Sequence, residues 1–574
     1  MKELSKKLNN VFKKAGLLNK YQIIIVLIFI FQFTSCEYFN IAVPYLDDPP
    51  YIFLPNKTES VLLKIEMCKN DIKKEFKIDY SKTFNSLTIR LKIYCDRKKT
   101  NFIEIAYLSS SIIGSFFSYI FADYLGRKLT LLILLPIKIF CYFLFGFCIF
   151  ENYYFMMCLL MIIGFFNYII MITILVYISE VIEHQNIPIF ICLIISGLPI
   201  SGMITFTFFN IIIKSWEITT IFFGILSLIL YIFIIFYLIE SPVYNLLNGK
   251  IDSFEENIQK IANFNDRKIK QEDFTFLSLY KKKEKNSLNQ TLLSLNEVDQ
   301  SLLKSEIENE DDNLIQYKKL SSSFSIESKM DIYEEKNPLS KIVFGKFKMK
   351  DYSPIHLLKS KNQISNFLIL SYIWMDCLIS KDGINYHKRK FNPNPGNDII
   401  TLLSYFGDYC SFFLILLFLS LKKIYIQQIL VGLLLFSYIL LSICLVIDDI
   451  KIEMILIYIS EICWNCLYLL LYIITSLIYP SVLRTKGLSY NKGLGKVGTL
   501  MGPLYFRYDN NDNFFILEHL LFAFFSIVLS YGLPQKIGFL FFDNIKDDKN
   551  KEYENYDEKY EKIIMKSDSN YSLN

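Results

Sequence analysis

The stretch FADYLGRKLTLL, Phe121 to Leu132, joins two long apolar segments and carries more charge than a short turn between membrane helices requires. Asp123 closes the first apolar segment, and Gly126 permits a left-handed turn that other residues avoid. Arg127 and Lys128 favour the cytosolic side of a membrane. Charges at a helix end pair with a neighbouring helix in one state and separate in another, so the stretch predicts a gating turn.

Composition places the chain among integral membrane proteins. Of its 574 residues, 53% are hydrophobic and 16% are aromatic. A membrane-spanning helix needs about 20 mostly apolar residues, and runs such as Met156 to Phe166 are apolar on every face, which excludes a β-barrel. We therefore predict an all-α membrane protein with twelve transmembrane helices in two six-helix bundles. The predicted spans are 21–43, 102–122, 129–149, 154–178, 187–212, 218–239, 366–386, 398–420, 424–447, 454–478, 490–507 and 514–534.

The basic residues of the short loops predict the orientation. Most of them fall on the side of the N-terminus if every span crosses, so both termini are expected in the cytosol. The segment His387 to Lys390 is the exception, because it would lie outside. The net charge of +5 then reflects topology, so no nucleic-acid partner is expected. The sequence predicts a multi-pass protein of the plasma membrane or an organelle membrane, and it is compatible with a monomer.

Two polar insertions divide the chain. The first lies outside and contains Cys68 and Cys95, which form either a disulfide or two free thiols. The second is rich in Lys, Glu, Asn and Ser and separates six spans from six, as in transporters with two similar halves. The predicted parts are a cytosolic tail 1–20, a first bundle 21–249 with an outer loop 45–100, a disordered cytosolic linker 250–361, a second bundle 362–536 and a cytosolic tail 537–574.

Ionisable residues within the spans are the candidates for substrate and ion binding, because a charge in hydrocarbon is costly unless it faces a cavity or a partner. Asp376 and Asp408 lie deep in their apolar segments, so either is a hypothetical proton carrier, whereas a structural pair of Asp376 with Lys381 is the alternative. Glu37, Asp382 and Glu518 are further candidates near outer helix ends, where reaching water is the favoured alternative. The candidates for the binding site are Lys496, Asp376, Asp408, Lys381, Glu461 and Trp374.

The opening stretch resembles the loop between spans 2 and 3 of the major facilitator superfamily, G-x-x-x-D-R-x-G-R-R/K. Asp123, Gly126, Arg127 and Lys128 match that motif, and tyrosines replace its first glycine and first arginine. The superfamily moves small solutes by alternating access between two bundles, and the resemblance implies the same fold and activity here. The gating residues that it implies are Asp123, Gly126, Arg127, Lys128, Glu180, Glu240 and Arg484.

Three further segments resemble the organic cation and anion transporters and the sugar porters of that superfamily. They are ESPVYNLLNGK at Glu240 to Lys250, the Trp374-to-Gly383 spacing, and YPSVLRTKGLSYNKGLGKVGTLMGP at Tyr479 to Pro503. Leu477 replaces an acid of the third segment, and the loop after Glu180 lacks an arginine, so the cytosolic charge network is thinner. Lys496 occupies a position that is usually arginine in the anion carriers and aspartate in the cation carriers. Either it reads substrate charge, or it extends to the cytosolic surface.

The sequence therefore predicts a transporter of a small organic solute, with an organic anion or zwitterion favoured and proton coupling as a hypothesis. The alternatives are a facilitative sugar or organic cation transporter and a non-transporting sensor of the same fold. The four histidines are scattered and no nucleotide-binding loop is present, so neither an enzyme nor an ATP-driven pump is expected. No cofactor or metal is expected either.

Overall fold

The computed structural model describes most of the two predicted bundles and parts of the insertions. The described residues are 10–16, 19–47, 49–53, 60–62, 77–79, 83–148, 151–182, 186–274, 354–358, 361–391, 398–420, 425–447, 449–501 and 512–534.

Twelve long helical segments, here α1 to α12, make up the described part of the two predicted bundles. The first six are α1 (Lys20–Leu46), α2 (Arg97–Tyr124), α3 (Arg127–Gly146), α4 (Tyr153–Val181), α5 (Ile187–Ile195 and Gly197–Phe206, continued by a π-helical turn Thr207–Ile212) and α6 (Trp216–Tyr237). The second six are α7 (Lys361–Phe391), α8 (Asp398–Ser420), α9 (Ile426–Cys444), α10 (Ile450–Ile478), α11 (Ser481–Met501) and α12 (Asp512–Ser530). These helices confirm the predicted fold class.

Nine helices within the described residues are long and apolar enough to cross a membrane. Helices α7 and α11 are not among them because charged side chains lower their hydropathy, and the apolar part of α12 that is described, Ile516–Ser530, is shorter. Helix α11 also begins at Ser481, nine residues before the predicted start at 490. The prediction excluded this first part because it contains Arg484 and Lys486, yet both side chains are buried in the structure.

Glycines bring helices of the first set into close contact. A Cβ atom on Gly114 of α2 would lie 2.3 Å from the backbone oxygen of Phe165 in α4, and one on Gly164 would lie 2.3 Å from the Ser110 hydroxyl. Aromatic rings of α1, α3 and α6 fill the neighbouring core, as shown by the stacked pair Tyr38 and Phe223, whose centroids are 4.4 Å apart. The first set is therefore a packed bundle and not a ring around a wide pore.

Helices of the two sets also contact each other. Helix α11 packs along α2 and reaches α4, while α5 packs against α8 and α10. The α5–α8 contact is close, because a Cβ on Gly202 would lie 2.4 Å from the ring of Tyr405. These are the contacts that a rocking motion between two bundles would have to rearrange.

The loop between α1 and α2, which is predicted to lie outside, contains regular structure. Strand β1 (Tyr51–Phe53) pairs antiparallel with β2 (Ser60–Leu62) and with β3 (Lys77–Ile78), in the order β2-β1-β3. Cys95 is disulfide-bonded, which agrees with the predicted bridge. Its expected partner Cys68 lies outside the described residues, so the pairing itself stays a prediction.

A second compact unit combines Lys2–Gln22 with Ile239–Tyr352. In it, Ile251–Phe264 forms an amphipathic helix that buries Phe254, Ile258 and Ile261 on one face. The ring of Phe254 packs against Phe12 at 6.4 Å, and the Asn265 side chain donates a hydrogen bond to the Ala15 carbonyl at 3.0 Å. Residues 251–264 are thus folded, which corrects the predicted start of a disordered linker at 250. Residues 275–353 lie outside the described part.

Candidate functional site

Two lysines of α11 lie buried one helical turn apart. Residues i and i+4 share a helix face, and Lys492 and Lys496 are 0% and 7% exposed. The Lys492 ammonium lies between two tyrosine rings, 4.8 Å from the centroid of Tyr168 in α4 and 4.6 Å from that of Tyr472 in α10. Tyr168 belongs to the first bundle and Tyr472 to the second. Lys492 is therefore held at the boundary between the bundles by cation–π contacts on both sides.

Lys496 is connected to α1 through Asn40. Its ammonium donates to the Asn40 side-chain oxygen at 3.5 Å and lies 5.2 Å from the Tyr168 ring centroid. The Tyr168 hydroxyl donates to the same Asn40 oxygen at 3.1 Å. The Asn40 amide nitrogen in turn donates to Glu37 at 2.5 Å. Asn40 therefore separates Glu37 from Lys496 while bonding to both, and Lys496 does not extend to the surface, where one hypothesis placed it.

Glu37 is 1% exposed, so the expectation that it reaches water is wrong. It attracts both Lys492 and Lys496 electrostatically, yet among the described residues neither lysine lies within 4.0 Å of its carboxylate. The Glu37 Oε1 atom and the Lys492 Nζ atom both lack a hydrogen-bond partner in the described part of the chain. The site thus combines opposite charges from two bundles, each with a free hydrogen-bonding position.

Helix α10 contributes an aromatic and amide face. Asn465, Tyr468 and Tyr472 recur at intervals of three and four residues, so they share one face of α10. The Trp374 ring of α7 packs edge-on against Tyr472 at 4.9 Å and donates its indole N–H to Thr475 at 3.0 Å. This face joins the predicted residue Trp374 to the lysine site.

The remaining predicted binding residues lie in different environments. Lys381 of α7 lies 4.9 Å from the Tyr468 ring centroid, close to the lysine site. Asp376 is fully buried and accepts hydrogen bonds from Ser380 and from Ser526 of α12, and within the described residues it forms no ion pair with Lys381. Asp408 is half-buried in α8, and Glu461 is buried in α10. The structure therefore groups Lys496, Trp374 and Lys381, and places Asp376 between α7 and α12.

Ion pairs join the helix ends on the predicted cytosolic side. Arg127 lies 3.3 Å from Asp123 and 2.7 Å from Glu180 of α4. Lys486 of α11 pairs with Asp123 at 2.7 Å, and all four side chains are nearly inaccessible to solvent. Gly126 has φ of +102°, which confirms the predicted left-handed turn. The opening stretch FADYLGRK therefore supplies Asp123 and Arg127 to a buried charge network, to which α4 contributes Glu180 and the second bundle contributes Lys486.

Further polar contacts extend this network along α11. Arg484 donates to the Ser179 hydroxyl at 3.2 Å, and the Ser118 and Ser489 hydroxyls lie 2.5 Å apart. Lys128 and Glu240 are two further predicted gating residues. Lys128 is half-buried at the start of α3, and Glu240 belongs to the second compact unit, where it accepts a hydrogen bond from the Ser241 backbone at 2.9 Å.

Sequence reasoning missed Lys492 and Lys486 and misplaced Glu37. The spacing of Lys492 and Lys496 was a usable signal, because four residues place two charges on the same helix face. Lys486 follows the predicted gating residue Arg484 by two residues, but the sequence alone indicates only its contribution to topology.

Comparisons with known proteins agree with this architecture. Residues 76–294 match the model of the Major Facilitator Superfamily. The proton:xylose symporter XylE of E. coli, bound to 6-bromo-6-deoxy-D-glucose, is similar in fold, with a TM-score of 0.57 and 10% identity over 91% of this chain and 98% of that chain. A double tryptophan mutant of XylE has a TM-score of 0.54 and 11% identity over 91% and 97%. Among curated proteins, none matches this chain in sequence.

The fold is that of the major facilitator superfamily, and the chain is an integral, multi-pass membrane protein. The family match and the fold support membrane transport and indicate a transporter rather than an enzyme. At 10% identity the similarity concerns the fold alone, so the substrate class has to be argued from the side chains.

Proposed function

We propose that this protein carries a small organic solute with an anionic group across its membrane by alternating access. The anionic group binds at Lys492 and Lys496 of α11, and the solute lies against Tyr168, Tyr472 and Trp374. The ion-pair network around Asp123 closes the cytosolic side and opens when the two bundles rock. The solute therefore reaches the lysines from one side of the membrane at a time.

One observation carries this proposal: the Lys492 ammonium is fully buried and has no hydrogen-bond acceptor among the described residues. A buried cation without an acceptor is costly, since two tyrosine faces replace only part of its hydration. A carboxylate or a similar anion would supply the missing acceptor, and the low local dielectric would strengthen the attraction. Lys496 provides a second donor one turn away, so a single anionic group can contact both.

Coupling to protons belongs to the same proposal. Asp376 is the better placed of the two predicted carriers, because it is fully buried whereas Asp408 is half-buried. Its two hydroxyl partners come from α7 and α12, so the carboxylate has local support in its charged form.

Uptake by reconstituted proteoliposomes tests the anion site. Each labelled solute is offered at equal concentration to wild-type protein and to Lys492→Gln, Lys496→Gln, Lys496→Arg and Lys260→Gln at matched abundance. The first two variants should lower uptake of anionic solutes about tenfold or more relative to neutral ones, because each removes a charge that faces the solute. Lys496→Arg should retain anion uptake with an altered order of preference, since arginine presents a planar fork.

Lys260→Gln is the matched control, because Lys260 is exposed and pairs with Glu256 on the same helix. It should behave as wild type. An equal loss of anionic, cationic and neutral solutes in the α11 variants would show that the lysines serve folding or gating, and it would contradict the anion site.

A neutral, hydroxyl-rich solute is the second candidate. Both polar atoms of the Asn465 amide, together with the hydroxyls of Ser201, Thr205 and Thr499, are buried without a hydrogen-bond partner in the described part of the chain. Such neutral groups suit the hydroxyls of a sugar. A sugar in the same solute panel distinguishes the candidates, because its uptake should depend on Asn465→Leu and not on the lysines.

A further inference from the structure

We infer that the preferred solute is a zwitterion, whose anionic end binds Lys492 beside Lys496 on α11 and whose cationic end binds Glu37. This inference rests on the proposed function, since it uses the same site, and it names the substrate class more closely. It assigns to α1 a role in specificity that the anion site alone does not require.

The two bundles contribute opposite charges to this site. Glu37 stands on the first bundle, whereas Lys492 and Lys496 stand on the second. The Glu37 carboxylate attracts both lysines electrostatically, but within the described residues no ion pair joins it to either of them. Opposite charges that are buried near each other without an ion pair between them can both be satisfied by a ligand that has both charges.

Within the described residues, Glu37 and Lys492 each have a hydrogen-bonding position without a partner. Glu37 Oε2 accepts from Asn40, whereas Oε1 has no partner in the described residues, and the same holds for Lys492 Nζ. One free position is an acceptor and the other is a donor. An ammonium satisfies the first and a carboxylate satisfies the second, so one zwitterion satisfies both.

Solutes with a single charge would satisfy only part of this site. A simple carboxylate would bind the lysines but leave Glu37 buried without a cation, and a simple amine would leave Lys492 without an acceptor. A site with buried polar groups rejects a ligand that leaves one of them unpaired far more strongly than a site that merely loses an apolar contact. We therefore expect discrimination of about tenfold or more against both single-charge analogues.

Asn40 strengthens the assignment because it orients both the Glu37 carboxylate and the Lys496 ammonium. Its amide nitrogen donates to Glu37 at 2.5 Å, and its oxygen accepts from Lys496 at 3.5 Å and from Tyr168 at 3.1 Å. This bridge fixes the carboxylate and the neighbouring ammonium relative to each other before a solute enters. A preorganised pair of charges favours ligands whose own charges have a matching separation.

The experiment is competition uptake with matched sets of solutes that differ only in charge. The amino acids are glycine, β-alanine, 4-aminobutyrate and phenylalanine, each tested beside the acid that lacks the amine and the amine that lacks the acid. The proteins are wild type, Glu37→Gln, Glu37→Asp and Lys492→Gln in proteoliposomes. Wild type should prefer at least one amino acid over both of its analogues by about tenfold or more. Glu37→Gln should remove the preference over the acid, and Glu37→Asp should retain part of it.

The outcomes separate the two proposals. Lysine-dependent uptake of simple acids with no preference for any amino acid, and with no effect of Glu37→Gln, would overturn the zwitterion inference and leave the anion site intact. Uptake that is insensitive to Lys492→Gln would overturn the proposed function itself. Should Glu37→Gln fail to fold, the thermal shift of the wild-type protein decides. A larger shift with an amino acid than with its acid supports the inference, and equal shifts overturn it.

Discussion

At the scale of single residues, Asp376 is the buried acid for which a transport role can be tested without knowing the solute. It is fully buried, and its two hydroxyl partners lie on α7 and α12. Asparagine keeps the acceptor oxygen and the shape of the side chain but cannot take up a proton. We expect Asp376→Asn to lose the acceleration of uptake by an inward proton gradient while solute exchange at equal pH continues.

Asp408→Asn is the matched control, since Asp408 is half-buried and should keep the gradient dependence. The measurement compares initial uptake with and without an imposed gradient in wild type and the two variants. Undiminished acceleration in Asp376→Asn would exclude Asp376 as the proton carrier.

Glu37, Lys492 and Lys486 show what the sequence reveals at this scale. A charged residue in an apolar helix is evidence for a cavity or a partner, but the sequence does not say which. Glu37 lies near the outer end of α1, and its distance from that end suggested access to water. In the structure it is buried beside Asn40 of the same helix. The lysines that it attracts lie on α11, far away in sequence. The partners of Lys492 are equally remote, since they lie on α4 and α10.

At the scale of helices, α11 combines the proposed gate and the proposed binding site. Lys486 and Ser489 lie in its N-terminal part, on the predicted cytosolic side, and Lys492 and Lys496 follow on the next two turns. Displacement of α11 from α2 would therefore break the Lys486–Asp123 pair and alter the surroundings of both lysines. In the proposed mechanism this single element links solute binding to gate opening.

The helices themselves were largely predictable because long apolar segments leave few alternatives in a bilayer. The segment 398–420 was predicted with the bounds that α8 has in the structure, whereas α11 begins nine residues earlier than predicted. Hydropathy failed at α11 because its basic side chains are buried against partners from other helices, as Lys486 is against Asp123, and a window of residues cannot include such partners.

The gate gives a prediction at the same scale. Asp123→Asn and Lys486→Gln each remove the buried ion pair between α2 and α11, which destabilises the closed arrangement. We expect a cysteine introduced at Ser489, which is fully buried, to react about tenfold or more faster with a membrane-impermeant thiol reagent on the cytosolic side. The double variant should add less than the sum of the two, because both residues belong to one pair.

Lys260→Gln in the same Ser489→Cys background controls for the loss of a lysine as such. Its pair with Glu256 is exposed and lies outside the gate. Labelling rates that stay at the control value in both gate variants would mean that the Asp123–Lys486 pair does not hold the cytosolic side closed.

At the scale of the whole molecule, the proposed gate and the proposed solute site are both built from contacts between the two bundles. The buried network around Asp123 and Arg127 draws its charges from α2, α3, α4 and α11, and the solute site draws its own from α1, α4, α10 and α11. Neither site is complete within one bundle. Motion of one bundle against the other would therefore change the gate and the solute site together.

A reversible crosslink between α2 and α11 tests this account most directly. The Ser118 and Ser489 hydroxyls are 2.5 Å apart, so the double variant Ser118→Cys with Ser489→Cys should form a disulfide under mild oxidation. Both single variants serve as controls for oxidation of the native cysteines, and mass spectrometry establishes the crosslink. If the bundles must separate here, the crosslinked protein should lose uptake of every solute that the reduced protein carries, and a reductant should restore it. If the fully crosslinked protein takes up solute as fast as the protein with its disulfide reduced, this result would contradict alternating access through this gate.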